Sequence, residues 1–114
     1  MSEDTIFSKI IRREVPADII YEDDECLAFR DIAPQAPVHV LLIPKEPIPR
    51  LADATAKDRD LLGHLMVTAG EIARQEGVGD AFRIALNSGA AAGQSVFHLH
   101  LHILGGRSFD WPPG

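Results

Sequence analysis

Gln94-Ser95-Val96-Phe97-His98-Leu99-His100-Leu101-His102-Ile103-Leu104 is the stretch that decides how this chain reads. Three of the five histidines, His98, His100 and His102, stand at every second position, with Phe97, Leu99, Leu101 and Ile103 around them. Side chains on a strand alternate faces, so as a strand this segment has one apolar face and one ladder of imidazoles, with neighbouring Cα atoms roughly 6.6 Å apart. The small-residue stretch Ser88-Gly89-Ala90-Ala91-Ala92-Gly93 precedes it as a loop.

Working outward, Ile6, Phe7, Ile10 and Ile11 have helical spacing, with Asp4 or Thr5 as N-cap and Pro16 as the stop. Residues 19–22 and 26–30 read as the strands of a hairpin about the turn Asp23-Asp24-Glu25. A loop stiffened by Pro34 and Pro37 leads to a strand from Val38 to Ile43 that carries His39 near its start. The clearest helix spans about 57–76, with a stripe of Leu61, Leu62, Leu65, Met66, Ala69, Ile72 and Ala73. Thr55 and Asp58 resemble a capping box, and Gly77 and Gly79 are stop signals. Phe82 to Asn87 alternates as a further strand. The order is helix, three strands, helix, two strands, and the short links favour antiparallel pairing. The expected fold is α+β, a five-stranded antiparallel sheet with two helices on one face, in a single domain covering 1–114.

Composition narrows the class. Hydrophobic residues make up 46% and charged residues 25%, ordinary values for a globular protein. A net charge of −6 argues against coating nucleic acid or a membrane surface. The single cysteine, Cys26, can form neither an internal disulfide nor a cysteine-based zinc finger, and reads as a packing residue. The acidic start lacks signal-peptide character, and no apolar run approaches the ~18 residues needed to span a bilayer. The expectation is a cytoplasmic protein.

Three imidazoles on one face allow three chemistries. Zinc accepts three histidines plus water, although no carboxylate stands within the run. A neutral imidazole can instead act as a nucleophile toward phosphorus, with His100 central and its neighbours steadying oxygens or moving a proton. For this, Gly93-Gln94-Ser95 offers backbone N–H groups, an amide and a hydroxyl to an anion. The third reading is a merely solvated polar face, and the strict alternation behind a glycine-rich loop weighs against it.

His98-Leu99-His100-Leu101-His102-Ile103-Leu104 is similar to the histidine-triad signature, in which histidines alternate with apolar residues. The resemblance continues through Asp4-Thr5-Ile6-Phe7, Cys26 to Ile32, Pro34 to Pro37, Ile43-Pro44-Lys45, Leu61 to Met66, Gly93 to Val96 and the terminal Trp111-Pro112-Pro113-Gly114. It runs over essentially the whole chain and favours the nucleoside-phosphoramidase (Hint) branch of the superfamily. It implies a hydrolase that cleaves the P–N bond of purine nucleoside 5′-phosphoramidates, aminoacyl-adenylate-like substrates included, without a metal or cofactor.

By that resemblance His100 is the nucleophile, and His102 and the backbone near Ser95 hold the phosphate. Ser95 lies near the leaving group, and His98 supports from behind, paired with His39. Asp31 accepts the ribose hydroxyls, Asn87 lies near phosphate or ribose, and Gly93, Gln94 and Val96 complete the phosphate loop. Ile6, Phe7, Ile10, Phe29 and Ile32 wall the base pocket. The resemblance also implies a homodimer with a continuous ten-stranded sheet, its tail, with Trp111, reaching the partner's site.

Taken singly, several of these residues have plainer readings. Asp31 suits a turn, His39 a half-buried strand, Ser95 a cap, and Ile6, Phe7 and Ile10 a core; His64 reads as a helix or interface residue. Asp110 before Trp111, and the bland Ala90-Ala91-Ala92, depart from the family pattern. Two other functions stay open: a nucleotide-binding regulatory protein with weak catalysis, and a zinc protein using the triad.

Overall fold

The computed structural model describes residues 4–114; the acidic start at residues 1–3 lies outside them. Five antiparallel strands form one sheet in the order β1-β2-β3-β5-β4, with β1 at Ile19–Glu22, β2 at Cys26–Arg30, β3 at Val38–Pro44, β4 at Phe82–Ala85 and β5 at Leu101–Gly105. Helix α1 spans Ile6–Ile11 and α2 spans Arg59–Gln75. Among the described residues no helix is long and apolar enough to cross a membrane.

The helices do not share a face, contrary to the sequence expectation. β2 is buried at four consecutive positions, Cys26 to Phe29, which requires cover on both sides. Cys26 and Ala28 point with Val40, Leu42, Leu101 and Ile103 toward α2, whose Leu65, Ala69, Ile72 and Ala73 complete that core. Leu27 and Phe29 point the other way with Leu41 and Ile43, and there Phe7 and Ile10 of α1 cover them. His39 and His102 belong to the α1 face, because each alternates with residues of the α2 core.

Local signals act largely as read. Thr5 caps α1 in a reciprocal box with Ser8. That helix ends at Ile11, before Pro16, because Arg13 takes a left-handed backbone (φ 63°). Thr55 and Asp58 do form a capping box, closing a 3₁₀ turn at Ala56–Asp58 that feeds α2. In α2, Met66 is 54% exposed and belongs to the open face together with Val67, whereas Thr68 is buried. The buried ridge follows Leu65, Thr68, Ala69 and Ile72, spaced three or four apart, and Met66 falls about 100° off it.

The histidine segment is a strand only from Leu101 onward. Residues 94–100 run as irregular chain, held where the Leu99 N–H donates to the Ile48 carbonyl at 2.7 Å. The alternation persists through it, and Leu99, Leu101 and Ile103 all enter the α2 core.

Candidate active site

Antiparallel pairing of β3 with β5 sets Leu41 opposite His102 and His39 opposite Leu104. His39 and His102 are therefore diagonal neighbours on one face, and His39 Nε2 lies 2.9 Å from His102 Nδ1. This corrects the sequence reading, which paired His39 with His98. The last residue pair of β3 and β5 is Leu42 with Leu101, so His98 lies beyond the paired region. There its Nε2 meets the Pro44 carbonyl at 2.7 Å.

These contacts fix the tautomers. The Gln35 backbone N–H donates to His39 Nδ1 at 3.0 Å, so the proton of neutral His39 sits on Nε2. That Nε2–H donates to His102 Nδ1, which leaves the proton of neutral His102 on its own Nε2. His100 is oriented in the opposite sense: its Nδ1–H donates to the His98 carbonyl at 2.8 Å, leaving a lone pair on Nε2. Among the described residues no buried side-chain nitrogen or oxygen lacks a partner, and His100 Nε2 makes no hydrogen bond to any of them, so this nitrogen opens to solvent. The ring centroids of His100 and His102 are 5.1 Å apart. One lone pair and one N–H donor thus stand side by side.

Burial keeps all four rings neutral near pH 7. It lowers the proton affinity of His39, His98 and His100. His102 falls furthest, to about 4, through burial first and then the neighbouring His100 and His39. Asp31 partly opposes this for His39, His100 and His102.

Phe7 joins α1 to the imidazoles, with its ring edge-on to His100 at 5.0 Å and to Phe29 at 5.4 Å. Beside them opens an apolar cleft of about 240 Å³. Ile6, Phe7, Ile10, Phe29, Asp31 and Ile32 line it, with Ile32 fully exposed at the rim. Asp31 Oδ1 accepts the Ala33 N–H at 2.8 Å, and Oδ2 stands 3.5 Å from His39 Nε2. Val96 packs against the same core as Phe7.

The loop before the triad differs from the sequence reading in one respect. The N–H groups of Gly93 and Gln94 donate to Ala90 and Gly89 within the loop. The buried Gln94 amide is also engaged: Oε1 accepts from Gly89 N at 2.8 Å, and Nε2 donates to the carbonyls of Pro49 and Val96 at 2.7 and 3.0 Å. The amide offered to an anion is thus a clamp that shapes the loop. What remains open among the described residues are the Ser95 hydroxyl and the N–H groups of Ser95 and Val96. Gly93 is left-handed (φ 101°), and a Cβ there would approach Asn87 Nδ2 at 3.5 Å. Asn87 itself lines a second pocket, on the far side of His102 from the cleft. Trp111 is 84% exposed. Gln94→Ala orphans three backbone groups, so its urea-unfolding stability is expected to fall by about 1–3 kcal/mol; an unchanged midpoint refutes the clamp.

A family model for the HIT domain matches residues 12–109. The chain belongs to the HIT family. A HIT-like protein of Synechocystis is 68% identical over the whole of both chains. A 14 kDa zinc-binding protein of Brassica juncea is 52% identical, covering 97% of this chain and all of that one. The crystal structure of a HIT family hydrolase from Legionella pneumophila superposes with a TM-score of 0.95 at 44% identity, covering 97% of this chain and all of that one.

Within this HIT domain, the three triad histidines do not converge as one ligand set. Two other groups do bring donor atoms within 4.8 Å of one another: Asp31, His39 and His102, and Asp23, Cys26 and His64. The second group is a clip. Asp23 binds the N–H groups of Glu25 and Cys26, the Tyr21 hydroxyl and, at 2.7 Å, His64 Nε2, tying α2 to the hairpin turn. His64 is accordingly easier to protonate, and burial pushes the Cys26 thiol up to about 12. No sequence signal marked the Asp23–His64 contact across 41 residues, nor the backbone partners of His39, His98 and His100.

Proposed function

We propose that this HIT domain is a nucleotide hydrolase that cleaves the P–N bond of purine nucleoside 5′-phosphoramidates. The observation that carries the reading is the pair of opposed tautomers, a His100 Nε2 lone pair beside a His102 Nε2–H donor. The similarity to the Legionella HIT family hydrolase supports the general class.

In this reading the purine enters the apolar cleft and Asp31 accepts the ribose hydroxyls. The phosphate sits against His102 Nε2–H and the N–H groups of Ser95 and Val96. His100 Nε2 attacks phosphorus, forming an N–P bond as the P–N bond to the leaving amine breaks. The leaving nitrogen takes up a proton from solvent through the exposed Ser95 hydroxyl. The imidazole of the nucleotidyl-histidine is cationic, and its Nδ1–H points at the His98 carbonyl, 2.8 Å away, which stabilises that charge. Water then attacks phosphorus, His100 departs, and the nucleoside monophosphate leaves.

A homodimer completes the reading. Among the described residues β4 pairs only with β5, which leaves its other edge open, while Met66, Val67 and Trp111 expose apolar surface. Two β4 edges joined give a ten-stranded sheet. The net charge of −6 and the single buried thiol suit a small-molecule enzyme of a reducing cytoplasm.

The test is mass spectrometry after rapid mixing with adenosine 5′-phosphoramidate. A nucleotidyl adduct on His100 is expected; turnover without any adduct overturns the covalent route.

A second reading follows from the Asp31, His39 and His102 donors, which suit zinc, and from the zinc-binding name of the Brassica relative. Zinc there would compete with the His39–His102 hydrogen bond. Stoichiometric zinc surviving dialysis, with activity lost to chelator, would favour it.

A further inference from the structure

His102 can donate to a phosphate oxygen only while its proton sits on Nε2, and the decision is made outside its own ring. Its Nδ1 faces His39 Nε2 at 2.9 Å, so the two rings must take complementary tautomers. His39 in turn carries its proton on Nε2 because its Nδ1 accepts the Gln35 N–H at 3.0 Å. The three donors point the same way, and each strengthens the next. Reversing the first link reverses the rest. With a proton on His39 Nδ1, its Nε2 would face His102 as a lone pair. His102 would then carry its proton on Nδ1, and its bare Nε2 would repel a phosphate oxygen. Asp31 Oδ2, 3.5 Å from His39 Nε2, also favours a proton there. In the proposed complex that carboxylate accepts the ribose hydroxyls, which leaves the Gln35 N–H acting on the His39 tautomer.

The loop between β2 and β3 holds this N–H in place. Pro34 and Pro37 have fixed φ and no N–H, so within Pro34-Gln35-Ala36-Pro37 only Gln35 and Ala36 can donate from the backbone. The Gln35 side chain is exposed and turns back along the loop, its Nε2 donating to the Ala33 carbonyl at 3.0 Å. The Gln35 carbonyl accepts from Arg107 Nε at 3.0 Å. The Asp31 N–H donates to the His39 carbonyl at 3.0 Å and closes the base of the loop. Gly106 is left-handed (φ 89°) and lies so close to Pro37 that a Cβ there would come within 2.9 Å of the proline ring.

We propose that the Gln35 peptide N–H sets the donor sense of His102, which makes Gln35 a positioning residue that acts through its backbone. Its effect on turnover rests on the P–N hydrolase reading; its effect on the tautomers does not.

The experiment removes the N–H without removing a side chain. Q35A is the reference, and lactic acid incorporated at position 35 of the full chain differs from it only in an ester oxygen where the N–H stood. The ester should lower kcat for adenosine 5′-phosphoramidate by about 10²-fold, the scale of losing one oxyanion donor, with KM moved much less. H39Q supplies the control, because the amide nitrogen of glutamine reaches the place of Nε2 and donates without a tautomer. In that background ester and amide should turn over alike. Equal losses in both backgrounds mean that the loop only shapes the site, which overturns the proposal; so does an ester without effect beside His39. The second readout is the ¹⁵N shift of each ring nitrogen of His39 and His102 near neutral pH, with AMP in excess, since protonated and bare nitrogens are well separated. The ester should exchange the two nitrogens in both rings, and retained tautomers overturn the proposal. If no phosphoramidate turns over in any of these proteins, the hydrolase reading fails, and the nitrogen shifts alone decide whether Gln35 sets the tautomers.

Discussion

On the proposed mechanism, His100→Ala is expected to lower turnover of adenosine 5′-phosphoramidate by about 10⁴-fold or more, the scale of removing a covalent nucleophile, while AMP binding stays measurable. The asymmetry follows from the geometry. In the proposed reaction His100 contributes its Nε2 lone pair to phosphorus, whereas the cleft beside Phe7 and Phe29 is built by α1 and β2 and should survive the truncation. Phe7 loses its edge-on partner at 5.0 Å, so a modest loss of stability accompanies the change. A variant that turned over at the native rate would remove His100 from the mechanism. One that lost AMP binding as completely as turnover would show that the ring builds the pocket and does not attack.

Acidification between about pH 6.5 and pH 4 destabilises the protein ahead of carboxylate titration, and His102 is the largest single contributor. Its folded-state pKa, about 4, lies below the ordinary imidazole value of 6.5. Within this window the unfolded chain binds a proton that the folded ring refuses, so stability is full above pH 6.5 and falls as pH falls toward 4. The loss for this ring is of order 3 kcal/mol, at about 1.4 kcal/mol per tenfold in proton affinity. His39, His98 and His100 act in the same direction. His64 has the opposite sign: its proton is stabilised by Asp23, so its contribution is present below pH 6.5 and is lost as pH rises past its raised value. Urea midpoints measured across the window check this. His102→Gln should flatten the acid limb even though it costs stability at neutral pH; an equally steep limb in that variant excludes His102 as its cause.

The elements the sequence located best are those whose signal is local. The Thr5 cap, the Thr55–Asp58 box and the hairpin turn at residues 23–25 form as read, because each reports a contact over a few residues. Ile6, Phe7 and Ile10, whose pattern alone read as core, line one cleft with Phe29 and Ile32. The helix faces were misplaced because periodicity tells which residues of an element are apolar, but not which side of the sheet they cover. The buried run of β2, with Cys26 and Ala28 turned one way and Leu27 and Phe29 the other, shows that both sides are covered.

Sequence by itself determined that three imidazoles alternate with apolar residues, and hence that they are carried on a face whose reverse is core. It also determined the element order that makes an antiparallel α+β sheet. Only the tertiary structure decided that these imidazoles are not equivalent. His102 takes a hydrogen bond from His39 because β3–β5 register makes them diagonal neighbours, while His98 lies beyond the pairing and meets a carbonyl. A ring's tautomer depends on which donor or acceptor reaches each nitrogen, and those partners, from Gln35 to Pro44 and the His98 carbonyl, are set by how strands pair across the fold.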